Sequence, residues 1–471
     1  MIRTRLTRDF IEGCNKRFKK DKSNIIARNA ITSVGATLSS TDSNVANDVT
    51  HVFMNTIKKA GVKATNQGYS GRCWMFAGLN MFRHSVIHGM KLENFEFSET
   101  YLFFYDKLER SNSYLRWIID NPESKPGDRE FDYMVESSLQ DGGWWNCFSN
   151  LVTKYGLIPK NAMKETFHSG DSEEMNKILL DKLHETANWI RSNPKKDLEK
   201  KIEDTMEEIY KNLVYFLGEP PKDFSWCFTN DEEDSTIIDK LTPMMFKNLV
   251  IPTLDLNDFI SLANIPCERI KYNKRYKILE TSNIRGGNEC EVLNLRIEEL
   301  KKYAMKSLLS GFPVWFVGDV SQSFHPWYST LDDRLIDNSL FFGKNDKKFN
   351  KGKRIEFLNV QGNHAMCLTG VNLDEKGRPI SWQVENSWGY CDKDTPGEDG
   401  WLSMSDSWFE KYVTEVVIHK NYLSRSILKL NEKEPIKINP WDCMAPALKA
   451  NCVDAPRSWK NRKEVKKNRN L

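Results

Sequence analysis

The segment between residues 364 and 386 constrains the fold most, because it reads as two strands joined by a turn. In Ile380-Ser381-Trp382-Gln383-Val384-Glu385-Asn386, strict alternation puts Ile380, Trp382, Val384 and Asn386 on one face. The run from His364 to Val371 precedes it, and Asn372 to Pro379, with Asp374 and Gly377, supplies the turn residues. If the turn centres near Glu375, His364 and Asn386 stand eleven residues to either side and face one another. Opposed residues of an antiparallel pair lie about 4.5–5.5 Å apart at Cα, close enough for side chains to meet. A His–Asn pair on a sheet is therefore expected.

A second local signal supplies a nucleophile. The turn-rich Asn66-Gln67-Gly68-Tyr69-Ser70-Gly71 leads into a helical pattern in which Met75, Leu79, Phe82 and Val86 share a face. Ala77 and Gly78 are small enough to bring that helix close to a neighbour. Cys73 falls in its first turn. A thiol attacks as thiolate, and unpaired N–H groups at a helix N-terminus stabilise that anion, as does a neighbouring imidazolium. Gln67 offers an amide donor for a developing oxyanion, beside the backbone N–H of Cys73. His84 and His88 follow on the same helix but lie about 16 and 22 Å along its axis from Cys73, and are read as structural or solvated.

The rest of the chain narrows the alternatives. The ten cysteines are scattered without a C-x-x-C pair, which argues against a zinc site or a disulfide framework and for a reducing, cytoplasmic setting. H-E-x-x-H, G-x-x-x-x-G-K and G-x-G-x-x-G patterns are absent, so neither metal nor organic cofactor is expected. No apolar run approaches the roughly 20 residues that span a bilayer, and the N-terminus shows no secretory pattern. Residues 171–217 read as a helical hairpin broken at Asn193-Pro194, with Met175, Ile178, Leu179, Leu183, Ala187 and Ile190 on one helix. Leu198, Ile202, Met206, Ile209, Leu213 and Phe216 form the stripe of the other. Residues 218–295 read as mixed connections, and a helix is expected near 296–310. Residues 450–471 hold seven cations against two carboxylates, so the net charge of +3 divides into a basic tail and a body near −2.

Gln67-Gly-Tyr-Ser-Gly-Arg-Cys73-Trp74 and Asn386-Ser387-Trp388-Gly389 resemble the corresponding segments of papain-like cysteine peptidases. The ordered set Ser70–Trp74, Phe97–Phe104, Asp141-Gly142-Gly143-Trp144, Lys154–Lys160, Asn363-His364-Ala365-Met366, Val384–Gly389 and Trp441-Asp442-Cys443-Met444 resembles the bleomycin hydrolase and aminopeptidase C branch of that family. The papain histidine lies roughly 130–150 residues beyond its cysteine. Here 291 residues separate Cys73 from His364, so a large, mainly helical insertion is expected.

The resemblance implies an α+β, papain-like, two-lobed fold. Its expected parts are an arm (1–60), a helical lobe with Cys73 (61–170), an insertion (171–295), a β-rich, barrel-like lobe with His364 and Asn386 (296–449) and a basic tail (450–471). It implies that Cys73 attacks the amide carbonyl and that His364 forms the ion pair and protonates the leaving amine. Asn386 then orients the imidazole, Trp388 shields the His–Asn bond, and Gln67 completes the oxyanion hole. It also implies a homohexamer and peptide substrates with a free N-terminus, because in that branch the terminal carboxylate lies in the cleft and holds the substrate amine. Here 22 residues follow Lys449, which opens two alternatives: an endopeptidase or carboxy-trimming activity, and a nucleic-acid-binding assembly that uses the basic termini.

Overall fold

The computed structural model describes residues 5–57, 64–343, 348–389 and 400–450. Most of the basic tail, Cys391 and Cys452 fall outside them.

Val314–Gly318 (Val-Trp-Phe-Val-Gly) is apolar at nearly every position, and a strand of that kind must be covered on both faces. It lies in the middle of a mixed sheet. Numbered along the chain, the strands are β1 (Asn55–Thr56), β2 (Phe224–Thr229), β3 (Ser235–Leu241), β4 (Phe259–Ala263), β5 (Lys274–Ile278), β6 (Cys290–Asn294) and β7 (Val314–Gly318). They continue as β8 (Phe324–His325), β9 (Thr330–Leu331), β10 (His364–Leu373), β11 (Pro379–Glu385), β12 (Trp401–Ser405), β13 (Val413–His419) and β14 (Ile436–Ile438). The sheet runs β14-β5-β6-β4-β13-β7-β10-β11-β12-β9-β8, with β1 alongside β10; β2 and β3 form a separate hairpin. The helices Cys73–Met90 and Ile297–Leu309 both pack on its central strands, completing a mixed α/β architecture.

The Cys73–Met90 helix is buried almost all round, not on one stripe. Trp74, Phe76, Met81, Arg83 and Ile87 are as inaccessible as Met75, Leu79, Phe82 and Val86. Periodicity located one apolar face, but the helix is sandwiched between the sheet and the helix Trp145–Tyr155. A Cβ on Gly78 would stand 2.9 Å from Phe148 ring atoms, so the close approach expected of that small residue is present.

The helical hairpin occurs as Glu173–Ser192 and Leu198–Leu217, parted at Asn193-Pro194 and packed on the helix Glu99–Asp120. Ile178 of the expected stripe faces solvent, whereas Met175, Leu179, Leu183, Ala187 and Ile190 are buried. One reading needs correction. Residues 218–295 contain β4, β5 and β6, which extend the large sheet through β13, so that sheet draws on strands from before residue 296. The arm begins with two helices, Arg8–Lys20 and Lys22–Val34, started by the Thr7 and Asp21 side chains and burying no residue.

The hairpin register also differs from the symmetric one. Cys367, not Ala365, lies opposite Glu385, and irregularities between Leu368 and Gly370 and between Asn372 and Leu373 shift the pairing. His364 sits beyond the end of that ladder and pairs with Gly318 of β7 instead. A local bulge adds a residue to one strand and defeats any register counted from the turn alone.

One buried ionic cluster ties the Cys73 helix to β11. Arg83 donates to Glu385 Oε1 (2.6 Å), and His84 Nε2 lies 2.8 Å from Glu385 Oε2. All three side chains are at most 2% exposed. Burial alone would push the Glu385 carboxyl up, but Arg83 and the His84 hydrogen bond hold it below the ordinary range. Removing one partner of a buried pair strands the other charge. Arg83→Met is expected to destabilise the protein by about 3 kcal/mol in urea unfolding, and Arg83→Met with Glu385→Leu to recover most of that loss.

Candidate active site

Cys73 is the first residue of its helix, so its backbone lies in the turn whose N–H groups lack intrahelical acceptors. The thiol is buried and receives a hydrogen bond from the Ala365 N–H, Sγ to N 3.3 Å. The start of β10 is thereby placed against the helix N-terminus. His364, the preceding residue, donates from Nε2 to Asn386 Oδ1 at 2.7 Å. The Ser387 N–H donates to the same oxygen (2.8 Å), which fixes the orientation of the Asn386 amide. A neutral ring with its proton on Nε2 keeps Nδ1 as an acceptor, and Nδ1 is buried without a hydrogen-bond partner among the described residues. The indole of Trp388 stacks on His364, with centroids 4.7 Å apart and planes at 25°. The expected His–Asn contact therefore exists, although the strand register that suggested it does not.

Gln67 is completely buried in the turn before Cys73. Its Oε1 accepts from the Ser387 hydroxyl (2.6 Å), its backbone N–H donates to Ser387 O (2.9 Å), and its Nε2 donates to Ser70 O (2.9 Å). The Gln67 and Asn386 segments are thus joined directly. The five residues singled out in the sequence, Cys73, His364, Asn386, Gln67 and Trp388, gather in one place. Such a set can deliver a thiol to a carbonyl carbon, accept and return its proton at an oriented imidazole, and stabilise an oxyanion.

Arg72 and Asp141, which hold this set in place, lie in the motifs, but the groups that anchor them do not. Arg72, fully buried, donates to the Ser70 hydroxyl (2.8 Å) and grips Glu165 with both terminal nitrogens at 3.2 and 2.8 Å. Burial pushes Glu165 up, yet Arg72 and Lys160 pull its pKa down to about 2. Asp141 holds residues on either side of Cys73: its Oδ2 accepts from the Gly71 N–H (3.0 Å) and its backbone carbonyl from Trp74 Nε1 (2.7 Å). Lys107, Ser172 and Asn176 donate to the same carboxylate, the last two from the start of the helical hairpin. Gly71 is required at this point, because a Cβ there would stand 2.4 Å from that of Asp141.

The end of the described chain lies beside the site. Ala450 and Gly143 exchange two backbone hydrogen bonds (3.0 and 3.2 Å), and a Cβ on Gly143 would meet the Trp74 ring at 2.6 Å. Lys449 is buried against Trp144, its Nζ 5.1 Å from the ring centre, and it donates to Gln140. Burial lowers its pKa to about 7. His84 belongs to the Glu385 cluster, and His88 is exposed. Among the described residues no three His, Cys, Asp or Glu side chains are grouped to hold a metal, and no helix is long and apolar enough to cross a membrane.

The model of the Peptidase C1-like family matches residues 5–445. The aminopeptidase C of Listeria monocytogenes is 33% identical over 446 residues, covering 94% of this chain and 99% of that protein. The bleomycin hydrolase of Homo sapiens is 36% identical over 404 residues, 84% of this chain and 88% of that one. The crystal structure of PepW from Lactobacillus rhamnosis HN001 superimposes with a TM-score of 0.88 at 32% identity, covering 94% of this chain and 99% of that one.

Glu165 sets a pH dependence. Its folded pKa of about 2 lies below the ordinary 4.5, so its contribution to stability is present above 4.5 and is lost as pH falls towards 2. Glu165→Gln is expected to cost about 2 kcal/mol near pH 7. The difference from wild type should shrink in urea unfolding as pH falls below 4.5.

Proposed function

The chain belongs to the Peptidase C1-like family, and from that premise we propose that it is a cysteine-type aminopeptidase of the bleomycin hydrolase and aminopeptidase C kind, working through Cys73, His364 and Asn386. The observation that carries this reading is the His364–Asn386 bond, covered by Trp388 and set beside the Cys73 thiol through the Ala365 N–H. In the proposed reaction His364 Nδ1 takes the thiol proton and Cys73 Sγ adds to the amide carbonyl. The oxyanion is held by Gln67 Nε2 and the Cys73 N–H. The imidazolium returns its proton to the leaving amine, giving a thioester, and a water activated by the same imidazole releases the acid. Asn386 keeps the ring in the required tautomer throughout. The finer architecture belongs to the same reading: two lobes meeting at this cleft, with the hairpin 171–217 as part of an insertion and six copies assembling.

The preference for a free N-terminus rests on the Ala450–Gly143 pairing, which places a strand of the chain itself along the edge of the site beside Trp74. A segment there shortens the cleft on the side where a substrate would extend N-terminally. A second reading follows from the same strand, since 21 residues come after Ala450. A chain that reaches the edge of the site can itself be cut, and the enzyme would then trim its own residues beyond 450 or accept chain interiors.

Peptides with free and acetylated N-termini separate these readings. The aminopeptidase reading expects release of N-terminal residues from free peptides only, and equal cleavage of both overturns it. Cys73→Ala should lower kcat/KM by at least about 10³-fold. Identical full-length masses for wild type and Cys73→Ala would remove self-trimming.

A further inference from the structure

Away from the Cys73 cleft, two cysteines distant in sequence stand together. Cys443, which precedes the short helix Met444–Leu448, has its Sγ 4.0 Å from that of Cys267 in the loop after β4. Arg269 Nη2 donates to Cys443 Sγ at 3.1 Å, and the other arm of the same guanidinium holds the adjacent Asp442 carboxylate. The Cys267 thiol lies 3.4 Å from the Gly352 carbonyl. The two differ in accessibility: Cys267 is 4% exposed, whereas Cys443 is partly open to solvent beside the half-exposed Arg269. We propose that Cys443 and Cys267 form a peroxide-oxidisable dithiol, with Cys443 as the attacking sulfur and Cys267 as the resolving one.

The division of roles follows from the surroundings. The hydrogen bond from Cys267 lowers the Cys443 thiol below its ordinary range, with help from Arg269 and against burial and Asp442. Cys267 is correspondingly pushed up by its bond to Cys443 and by burial. The Cys443 thiolate attacks a peroxide oxygen; an S–O bond forms, the O–O bond breaks, and hydroxide leaves to take a proton as water. Cys267 then gives up its proton and attacks the Cys443 sulfur. The S–S bond forms as the S–O bond breaks, and a second water leaves. Two thiols are oxidised by two electrons, and one peroxide is reduced to two waters. The sulfurs must close from 4.0 Å to about 2.05 Å.

The disulfide would tie the loop after β4 to the segment that runs through Pro446, whose carbonyl accepts from the Gly362 N–H, to Ala450 at Gly143. It would therefore fasten the strand beside Trp74. The chemistry itself stands independently of the peptidase reading.

The test uses the full chain carrying Cys73→Ala, which removes a competing thiol. The protein is reduced, freed of reductant, treated with hydrogen peroxide, blocked with N-ethylmaleimide and digested without reduction. The expected result is a maleimide-free, crosslinked Cys267–Cys443 peptide pair about 2 Da lighter than the sum of its two reduced peptides, separated by dithiothreitol. Cys147, Cys290 and Cys367, fully buried with thiols pushed up by burial, should stay reduced in the same sample. In a Cys267→Ser protein, Cys443 should instead be trapped as the sulfenic acid by dimedone. Conversion of Cys443 to sulfinic acid with Cys267 still alkylatable would overturn the proposal. So would survival of both thiols at peroxide levels that oxidise an exposed cysteine such as Cys14.

Discussion

The structure depends on a carboxylate buried between a helix and a strand. Glu385 is held by Arg83 and His84, and it immediately precedes Asn386. Arg83 stands ten residues after Cys73 on the same rigid helix. The cluster therefore links the element that carries the thiol to the element that carries the amide. Desolvating three such groups costs several kcal/mol before any attraction is counted, and an apolar contact of the same size would be at least as stabilising. An apolar contact slides, however, whereas a carboxylate bridged by two donors has one arrangement. The cluster reads as a positioning device, bought at the expense of stability.

Asp141 applies the same logic at the other end of the helix. It accepts from Gly71 and Trp74 on either side of Cys73 and is itself held by Lys107, Ser172 and Asn176. The helical hairpin is thereby joined to the turn before the thiol. Arg72 and Glu165 brace the same turn from beneath. The thiol, the imidazole and the amide are small groups on separate elements. Their alignment is maintained by ionic contacts made around them and by the direct bonds between Gln67 and Ser387.

Features written in local signals were legible in the sequence. The turn before Cys73, the break at Asn193-Pro194 and the alternation of β11 each arise from residues close together in the chain. The His364–Asn386 contact was anticipated for a reason only half right. The strands do turn back near Glu375, but bulges shift the register, and the long imidazole reaches Asn386 from beyond the paired stretch. Strands β4, β5 and β6 were missed because each is only five residues long, and β4 and β5 take partners far along the chain, β13 and β14. The charged clusters were missed for the same cause. Arg83 and Glu385 lie 302 residues apart, and no periodicity in either segment announces the other. The tight motifs around Arg72, Asp141 and Glu385 marked positions of interest without revealing what each side chain touches.

In the proposed function Cys73 is the reacting thiol and His364 makes it so. Limiting iodoacetamide, with alkylation mapped by peptide mass and compared with residual peptidase activity, tests this directly. Cys73 should be alkylated first, activity should fall in proportion to its labelling, and His364→Ala should slow that labelling by about 100-fold while other cysteines react as before. Activity lost without labelling of Cys73, or a Cys73 labelling rate unchanged in His364→Ala, would contradict it.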